Sequence, residues 1–173
     1  MSPPLLVLVG PPGAGKSTVG PLLAARLGVA FRDTDADVVE VAGKPIAEVF
    51  IDDGEDHFRS LEQAAVLTAL AEHSGVLSLG GGAVLSGATR TALTGHRVAL
   101  LEVDLSSATG RVGLNRDRPV LALNPRAQLK ALLEQRLPLY RQVADLSVDT
   151  NGRTPAQVVQ DLVDQLERLP PRT

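Results

Sequence analysis

Short apolar runs alternate along the chain with longer stretches in which apolar residues recur every three or four positions. The short runs predict buried strands, and they lie at Leu5 to Val9, Val29 to Phe31, Val76 to Leu79, Val98 to Val103 and Leu146 to Asp149. The helical spacing predicts helices at Lys16 to Leu27, from near Ala36, from Pro45 to Phe50, at Glu55 to Glu72, at Ser86 to Leu93, after Ser106, from Pro125 to Tyr140 and after Thr154. Because strand and helix alternate, we predict an α/β fold with a central five-stranded parallel sheet and helices on both faces.

Small polar residues mark where several of these helices should begin. Thr34 or Asp35 could cap the helix that follows the second strand, Ser106 the helix after the fourth, and Thr154 the terminal helix. The chain has neither an internal repeat nor a linker, so we predict one domain over residues 1–173.

The stretch from Gly10 to Thr18 follows the first strand and opens the first helix. It meets the pattern G-x-x-x-x-G-K-S/T of a phosphate-binding loop, and its position between strand and helix is the one this loop requires. Glycine lets successive backbone N–H groups point at phosphate oxygens, Lys16 should reach the β- and γ-phosphates, and Ser17 should bind Mg²⁺. The predicted nucleotide contacts in the loop are Gly13, Ala14, Gly15, Lys16, Ser17 and Thr18.

Composition narrows the class of partner. The chain has 173 residues, 44% of them hydrophobic, which suffices for one compact domain with a full core. Its net charge of −3 includes no long basic run, so we expect a small molecule and not a nucleic acid. The N-terminal apolar run of five residues is far shorter than the roughly 20 that cross a bilayer, so we expect a cytoplasmic enzyme.

The absence of cysteine and the spacing of the histidines exclude several kinds of site. The chain has no cysteine, which excludes disulfides, thiolate zinc sites and cysteine nucleophiles. His57, His73 and His96 lack the spacing of metal ligands. We therefore expect metal binding, if any, to use oxygen ligands.

Asp33 and Asp35 form a second polar turn, after the second strand. Residues two apart on an extended chain face the same way, so both carboxylates could project at the carboxyl end of the sheet, where open α/β folds bind ligands. Two carboxylates beside a nucleotide loop suggest that they bind a metal ion and interact with a substrate hydroxyl group. Helix capping is an equally good explanation for this turn.

Arg59 and the triplet Gly80 to Gly82 each admit two interpretations. Arg59 has Glu55 and Glu62 at helical spacing, which by itself indicates an ordinary solvated ion pair. The triplet follows a buried strand and could offer bare backbone to a ligand, or it could be a flexible turn.

A polar segment rich in arginine lies at about residues 113–126 and includes Arg116 and Arg118. It has no regular apolar pattern. A segment of this length and charge is typical of a lid that closes on phosphate.

Taken together, these pieces resemble shikimate kinases from end to end. The resemblance rests on the phosphate loop, Asp33-Thr34-Asp35, Asp53-Gly54-Glu55 with Phe58-Arg59, the glycine triplet, Arg116-Asp117-Arg118-Pro119, and Arg136-x-Pro-x-Tyr140. It implies a P-loop kinase fold like that of nucleoside monophosphate kinases, with a substrate-binding helical region at about 35–63 and a lid at about 113–126. The implied reaction transfers a phosphoryl group from MgATP to the 3-hydroxyl of shikimate. Separately, no coiled coil or long apolar surface run in the sequence argues for assembly, so we expect a monomer.

The resemblance also assigns roles to individual residues. It implies that Ser17 and Asp33 hold Mg²⁺, that Lys16, Asp35 and Arg118 are catalytic, and that Arg118 also binds the nucleotide. The remaining implied contacts are Arg111, Arg153 and Pro155 with the adenine, and Asp35, Arg59, Gly80, Gly81, Gly82 and Arg136 with shikimate.

Two alternatives remain at this point. The first is another small-metabolite kinase of the same fold, acting on gluconate or a nucleoside monophosphate; a pair of arginines with Asp35 suits a hydroxylated carboxylate better than a nucleotide base. The second is a non-catalytic nucleotide-binding module. A guanine-specific switch would carry N-K-x-D after a late strand, and this tetrapeptide does not occur.

Overall fold

The computed structural model describes residues 2–112 and 125–171. Within these ranges the strands are β1 (Leu6–Val9), β2 (Phe31–Asp33), β3 (Val76–Ser78), β4 (Val98–Glu102) and β5 (Leu146–Asp149). The helices are α1 (Lys16–Leu27), α2 (Thr34–Ala42), α3 (Ile46–Asp53), α4 (Glu55–Glu72), α5 (Gly87–Leu93), α6 (Leu105–Val112), α7 (Pro125–Val143) and α8 (Pro155–Arg168). A single 3-10 turn, Ala83–Leu85, precedes α5.

The five strands form one parallel sheet in the order β2-β3-β1-β4-β5. Strand β1 lies at the centre, with Val7 opposite Leu77 on one side and Val98 on the other. All four residues of β1 are buried, as expected for a strand covered on both faces. The predicted central five-stranded parallel sheet is confirmed.

Alternation along β1 separates the two halves of the core. Leu6 and Leu8 point to the face covered by α1 and α8, where they pack with residues such as Leu162. Val7 and Val9 point to the opposite face, covered by α4, α5 and α7. Helices on both faces of the sheet complete the predicted three layers.

Two helix starts differ from the sequence prediction. Helix α2 begins at Thr34, and its cap is Asp33, whose carboxylate accepts a hydrogen bond from the Asp35 amide at 2.9 Å. The prediction of Thr34 or Asp35 as the cap was therefore wrong. Helix α6 begins at Leu105, and the Asp104 carboxylate, not Ser106, accepts from the Ser107 amide at 2.6 Å. Asp33 is the last residue of β2, and Asp104 lies two residues after the end of β4. In both places a carboxylate just before the helix reaches its first free N–H groups.

The start of α8 agrees with the prediction. The Thr154 side chain accepts from the Gln157 amide, and the Gln157 side chain accepts from the Thr154 amide, which makes a complete capping box. This fixes the direction in which the chain turns from β5 into α8.

Helices α2, α3 and α4 connect β2 to β3 in the chain and pack on one another. Their apolar side chains form a separate small cluster of Val38, Val49, Phe58 and Ala65. Within residues 2–112 and 125–171, no helix is both long and apolar enough to cross a membrane.

Candidate active site

The phosphate loop lies between β1 and α1 in a conformation that needs glycine. Gly13 has φ +83° and Gly15, which caps α1, has φ +97°, both in the left-handed region. Gly10 is also constrained in space, since a Cβ there would lie 2.6 Å from the carbonyl oxygen of Leu101. The loop therefore brings the first amides of α1 to the carboxyl end of the sheet, where helix geometry leaves them available to an anion.

Lys16 folds over this loop. Its Nζ donates hydrogen bonds to the carbonyl oxygens of Gly10 at 2.5 Å and Pro11 at 3.1 Å. The ammonium group is thus held above the loop by backbone oxygens.

The acidic turn at the end of β2 lies close to Lys16. Burial, followed by the negative charge of Asp35, raises the pKa of Asp33, while the hydrogen bond from the Asp35 amide and the charge of Lys16 oppose the rise. The argument that placed Asp33 and Asp35 together on an extended chain was wrong, because Thr34 already begins α2. The helix turn nevertheless brings Asp35 into the site by another route.

Gly80 is the point where Asp35 meets α4. A Cβ on Gly80 would lie 2.5 Å from Asp35 Oδ1 and 2.9 Å from Glu62 Oε2. The two carboxylates therefore flank the same backbone position. Thr34, which is fully buried, lies here too, and its Oγ1 accepts from the Gly80 amide at 3.4 Å.

Gly82 is packed in the same way against Arg59. A Cβ on Gly82 would lie 2.1 Å from Arg59 Nη1 and 2.6 Å from its Cζ. Gly80 and Gly82 do not have positive φ values, so their need for glycine comes from close packing and not from backbone conformation. The triplet is therefore not simply a flexible turn, because side chains of the site press directly on its backbone.

Arg59 is held by groups of unequal exposure. Its Nη1 lies 2.8 Å from Glu62 Oε1 and its Nη2 lies 3.4 Å from Glu55 Oε1. Only 4% of the Glu62 side chain is exposed, against 22% for Arg59 and 53% for Glu55. The guanidinium also lies 5.1 Å from the centre of the Phe58 ring. The interpretation of Arg59 as an ordinary solvated ion pair is therefore wrong.

Gly81 joins the phosphate loop to α7. A Cβ on Gly81 would lie 3.0 Å from the Pro12 ring, and the Gly81 carbonyl accepts a hydrogen bond from the Tyr140 hydroxyl. Arg136 lies one turn before Tyr140 on α7 and is only 6% exposed. The site therefore places two arginines, Arg59 and Arg136, on helices that meet the glycine triplet.

A cavity of about 160 Å³ lies between the phosphate loop and the segment that joins β5 to α8. Its lining includes Gly15 and Thr18 from the loop side, and Thr150, Arg153 and Pro155 from the segment between β5 and α8. Arg153 Nη1 donates to Asp161 Oδ2 at 2.9 Å and to the Asp149 carbonyl at 3.0 Å. Arg153 and Pro155 thus line a cavity that also borders the phosphate loop.

Two predicted contacts cannot be placed in this geometry. Arg111 falls within α6, but its side chain is not among those that the structure describes. Arg118 and the lid segment from 113 to 124 lie outside the described residues.

A family model described as shikimate kinase matches residues 12–167. The chain belongs to the shikimate kinase family. A shikimate kinase of Streptomyces coelicolor is 57% identical over 96% of this chain and 98% of its own length. A shikimate kinase of Salinispora tropica is 62% identical over 90% of this chain and 93% of its own.

Solved structures agree with this assignment. A shikimate kinase from Acinetobacter baumannii, solved in complex with shikimate, superposes with a TM-score of 0.91 at 32% identity and covers 98% of this chain and 97% of its own. A gluconokinase from Sinorhizobium meliloti reaches a TM-score of 0.58 at 21% identity, which shows a shared fold only. The shikimate kinase interpretation is confirmed over the gluconate kinase alternative, and the chain is an ATP-dependent phosphotransferase.

Sequence reasoning gave no role in this site to Pro12 or Tyr140, and it considered Thr34 only as a helix cap. Thr34 lies between the two aspartates, and its burial could not be read from the local pattern. The sequence did offer a sign that Tyr140 matters. It is the only tyrosine in the chain, and it ends the stretch that begins at Arg136.

Proposed function

We propose that the chain transfers the γ-phosphoryl group of MgATP to the 3-hydroxyl of shikimate, giving 3-phosphoshikimate and ADP. The single observation that carries the proposal is the packing around Gly80 to Gly82, which gathers Asp35, Arg59 and the α7 helix beside the phosphate loop. Carboxylate, guanidinium and phosphate-binding groups are the three partners that a hydroxylated carboxylic acid and a nucleotide need.

The nucleotide occupies the phosphate loop and the cavity behind it. The amides from Gly13 to Thr18 bind the phosphates, and Lys16 turns from the loop carbonyls to neutralise charge on the β- and γ-phosphates. Arg153 and Pro155 border the adenine, as their place in the cavity lining supports. Arg111 is assigned to the same base from the sequence alone.

Ser17 and Asp33 fit a magnesium site by the chemistry of their donors. Both offer oxygen, and the pKa of Asp33 is raised first by burial and then by the negative charge of Asp35, so a bound cation would stabilise its charged form. No group of three or more His, Asp and Glu side chains suited to a metal occurs in the described part of the chain. Mg²⁺ in kinase sites commonly takes several of its ligands from phosphates and water. Bound there, the ion would neutralise charge on the phosphates.

Shikimate binds against the glycine triplet. Arg59 and Arg136 hold its carboxylate in bidentate fashion, and Glu62 keeps the Arg59 guanidinium in place through the 2.8 Å contact. Backbone groups of Gly80, Gly81 and Gly82 contact the acceptor. The Nε of Arg59 is buried and has no acceptor among the described residues, which leaves one donor for a ligand.

Asp35 acts on the attacking hydroxyl. Its carboxylate accepts the proton of the 3-hydroxyl as the hydroxyl oxygen bonds to the γ-phosphorus, and the bond to the ADP oxygen breaks. Arg118, in a lid at about 113–126, closes over the transferred group and stabilises its charge. We assign the acceptor-binding region to about residues 35–63, within one domain over 1–173, and propose that the enzyme works as a monomer in the cytoplasm.

The test is coupled turnover with ATP and shikimate, compared with gluconate and with AMP as acceptors. With ATP present, we expect turnover only when shikimate is the acceptor. Turnover of gluconate or AMP at a comparable rate would contradict the proposed acceptor.

Arg59→Lys tests the carboxylate clamp in the same assay. Lysine keeps the charge but loses the two-pronged geometry, so shikimate binding should weaken by at least about tenfold. Arg32→Lys is the matched control, because Arg32 is similarly exposed at 26% and contacts two carboxylates, Asp37 and Glu72, neither of which is a proposed shikimate contact. It should leave shikimate binding unchanged, and equal effects of the two substitutions would refute the clamp.

A further inference from the structure

The Tyr140 hydroxyl reaches from α7 to the carbonyl oxygen of Gly81, a residue 59 positions away in sequence. The tyrosine is 1% exposed, and its ring packs in the apolar core with residues such as Leu79 and Leu100. A buried phenol needs a hydrogen-bond partner, and the Gly81 carbonyl, three residues after the end of β3, accepts from this one. The ring therefore sits in a fixed position from which the hydroxyl can hold the triplet.

The hydrogen bond to the Gly81 carbonyl also orients the next amide group. The peptide unit between Gly81 and Gly82 is planar, so fixing the Gly81 carbonyl also fixes the direction of the Gly82 N–H. Three consecutive glycines have the widest choice of backbone conformations and no side chains to restrict it. The Gly80 and Gly82 carbonyls accept hydrogen bonds from the Ala83 and Leu85 amides, and the Tyr140 hydroxyl is the anchor of the Gly81 carbonyl between them.

Gly81 is also held from the opposite direction. The Pro12 ring would lie 3.0 Å from a Cβ on Gly81, so the phosphate loop packs directly on this residue. Helix α7 carries Arg136 one turn before Tyr140, on the same face. One peptide unit thus connects the phosphate loop, the triplet and the helix that bears the second arginine.

We propose that Tyr140 is a positioning residue for the acceptor. Its hydrogen bond to Gly81 sets the backbone of Gly80 to Gly82 against α7 and the phosphate loop, and so sets where the shikimate carboxylate lies relative to the phosphoryl donor. The inference rests on the proposed roles of Arg136 and the triplet in shikimate binding.

Tyr140→Phe tests this, because it keeps the packed ring and removes only the hydroxyl. The Gly81 carbonyl then stays buried without this donor, and the triplet loses its anchor. We expect the KM for shikimate to rise by at least about fivefold and kcat/KM for shikimate to fall accordingly, while the KM for ATP stays within about twofold.

Val143→Ala is the matched control for a purely structural effect. Val143 lies one turn after Tyr140 and packs partly buried against the same apolar cluster. It should lower the melting temperature without changing the KM for shikimate. If Tyr140→Phe also lowers only the melting temperature, the proposed positioning role is wrong. A wild-type chain that does not turn over shikimate would instead refute the proposed function.

Should Tyr140→Phe not fold, the wild-type chain supplies a second measurement. Tyr140 is its only tyrosine and it has no tryptophan, so intrinsic emission reports this one hydroxyl. We expect the emission to stay constant as shikimate saturates the site, because the hydroxyl already holds the Gly81 carbonyl in the free chain. Emission that changes with the same midpoint as shikimate binding would show that this bond is not held beforehand and would overturn the proposal.

Discussion

Gly82→Ala adds one methyl group at the point where the triplet meets Arg59. The added Cβ would lie 2.1 Å from Nη1, whereas ordinary contact begins near 3.5 Å, so the guanidinium must withdraw by roughly 1.4 Å. The backbone itself tolerates alanine, because Gly82 has φ −98° and ψ 1°. The substitution therefore moves a proposed substrate-binding group without straining the chain.

The size of the effect follows from that displacement. A shift of about 1 Å in a positioning group can cost roughly 100-fold in rate, which corresponds to about 2.7 kcal/mol of transition-state stabilisation. We therefore expect kcat/KM for shikimate to fall by about 100-fold, with the KM for ATP nearly unchanged. The fold should lose little, because the displaced atoms end a flexible side chain that is already 22% exposed.

The assay is steady-state turnover with shikimate varied at saturating ATP, together with thermal unfolding. Gly87→Ala is the control, since a Cβ on this glycine would meet only Arg90 Nη2 at an ordinary 3.6 Å. It should behave as wild type in both measurements.

One result would refute the reasoning. If Gly82→Ala folds normally and keeps kcat/KM for shikimate within about twofold of wild type, then the position of Arg59 does not matter to the acceptor. A large loss of stability with unchanged kinetics would likewise show that the close packing serves the fold alone.

Three further predictions concern other parts of the site. Lys16→Ala should leave the melting temperature almost unchanged but lower turnover by far more than tenfold, the equivalent of ~1.4 kcal/mol; a smaller loss would reject its role at the phosphates. Asp35→Asn should lower kcat by about 10²- to 10⁴-fold without weakening ATP binding, and unchanged turnover at saturating shikimate would remove it from the mechanism. Hydrogen bonds from Gln165 and Arg153 lower the pKa of Asp161 below its usual 3.8, so its stabilisation is present above that value and lost as the pH falls through the lowered pKa. In denaturant titrations the free energy of unfolding of Asp161→Asn should be lower than that of wild type by less than about 1 kcal/mol at neutral pH and equal to it in acid. A difference in unfolding free energy that persists in acid would contradict this linkage.

Local patterns predicted the framework of this protein well. Each apolar run contains or overlaps one strand of the sheet, and the phosphate loop lies between β1 and α1 as its motif requires. These signals succeed because strand burial, helical periodicity and glycine conformation depend on neighbours in sequence. The family resemblance, carried by ordered motifs, is confirmed by the comparisons.

The same local reasoning was weaker at helix starts and on helix surfaces. Asp33 and Asp104 cap α2 and α6, although neighbouring residues were equally good candidates by type. Leu22 is an apolar residue of α1, yet it is 46% exposed. Residue type alone does not say which of several candidates meets a partner.

The contacts that define the acceptor side were decided only by the tertiary structure. Glu62 and Arg59 have the spacing of a surface ion pair, and only the packing of α4 against Gly80 and Gly82 buries the glutamate. Tyr140 meets Gly81 because the sheet order puts β3 beside β1, and α7 packs on β4 and on the 3-10 turn that follows β3. Contacts between residues tens of positions apart depend on strand order and helix packing, which no short window of sequence contains. The chain by itself thus determines its fold class and its phosphate loop, whereas the arrangement around the glycine triplet exists only once the elements have packed.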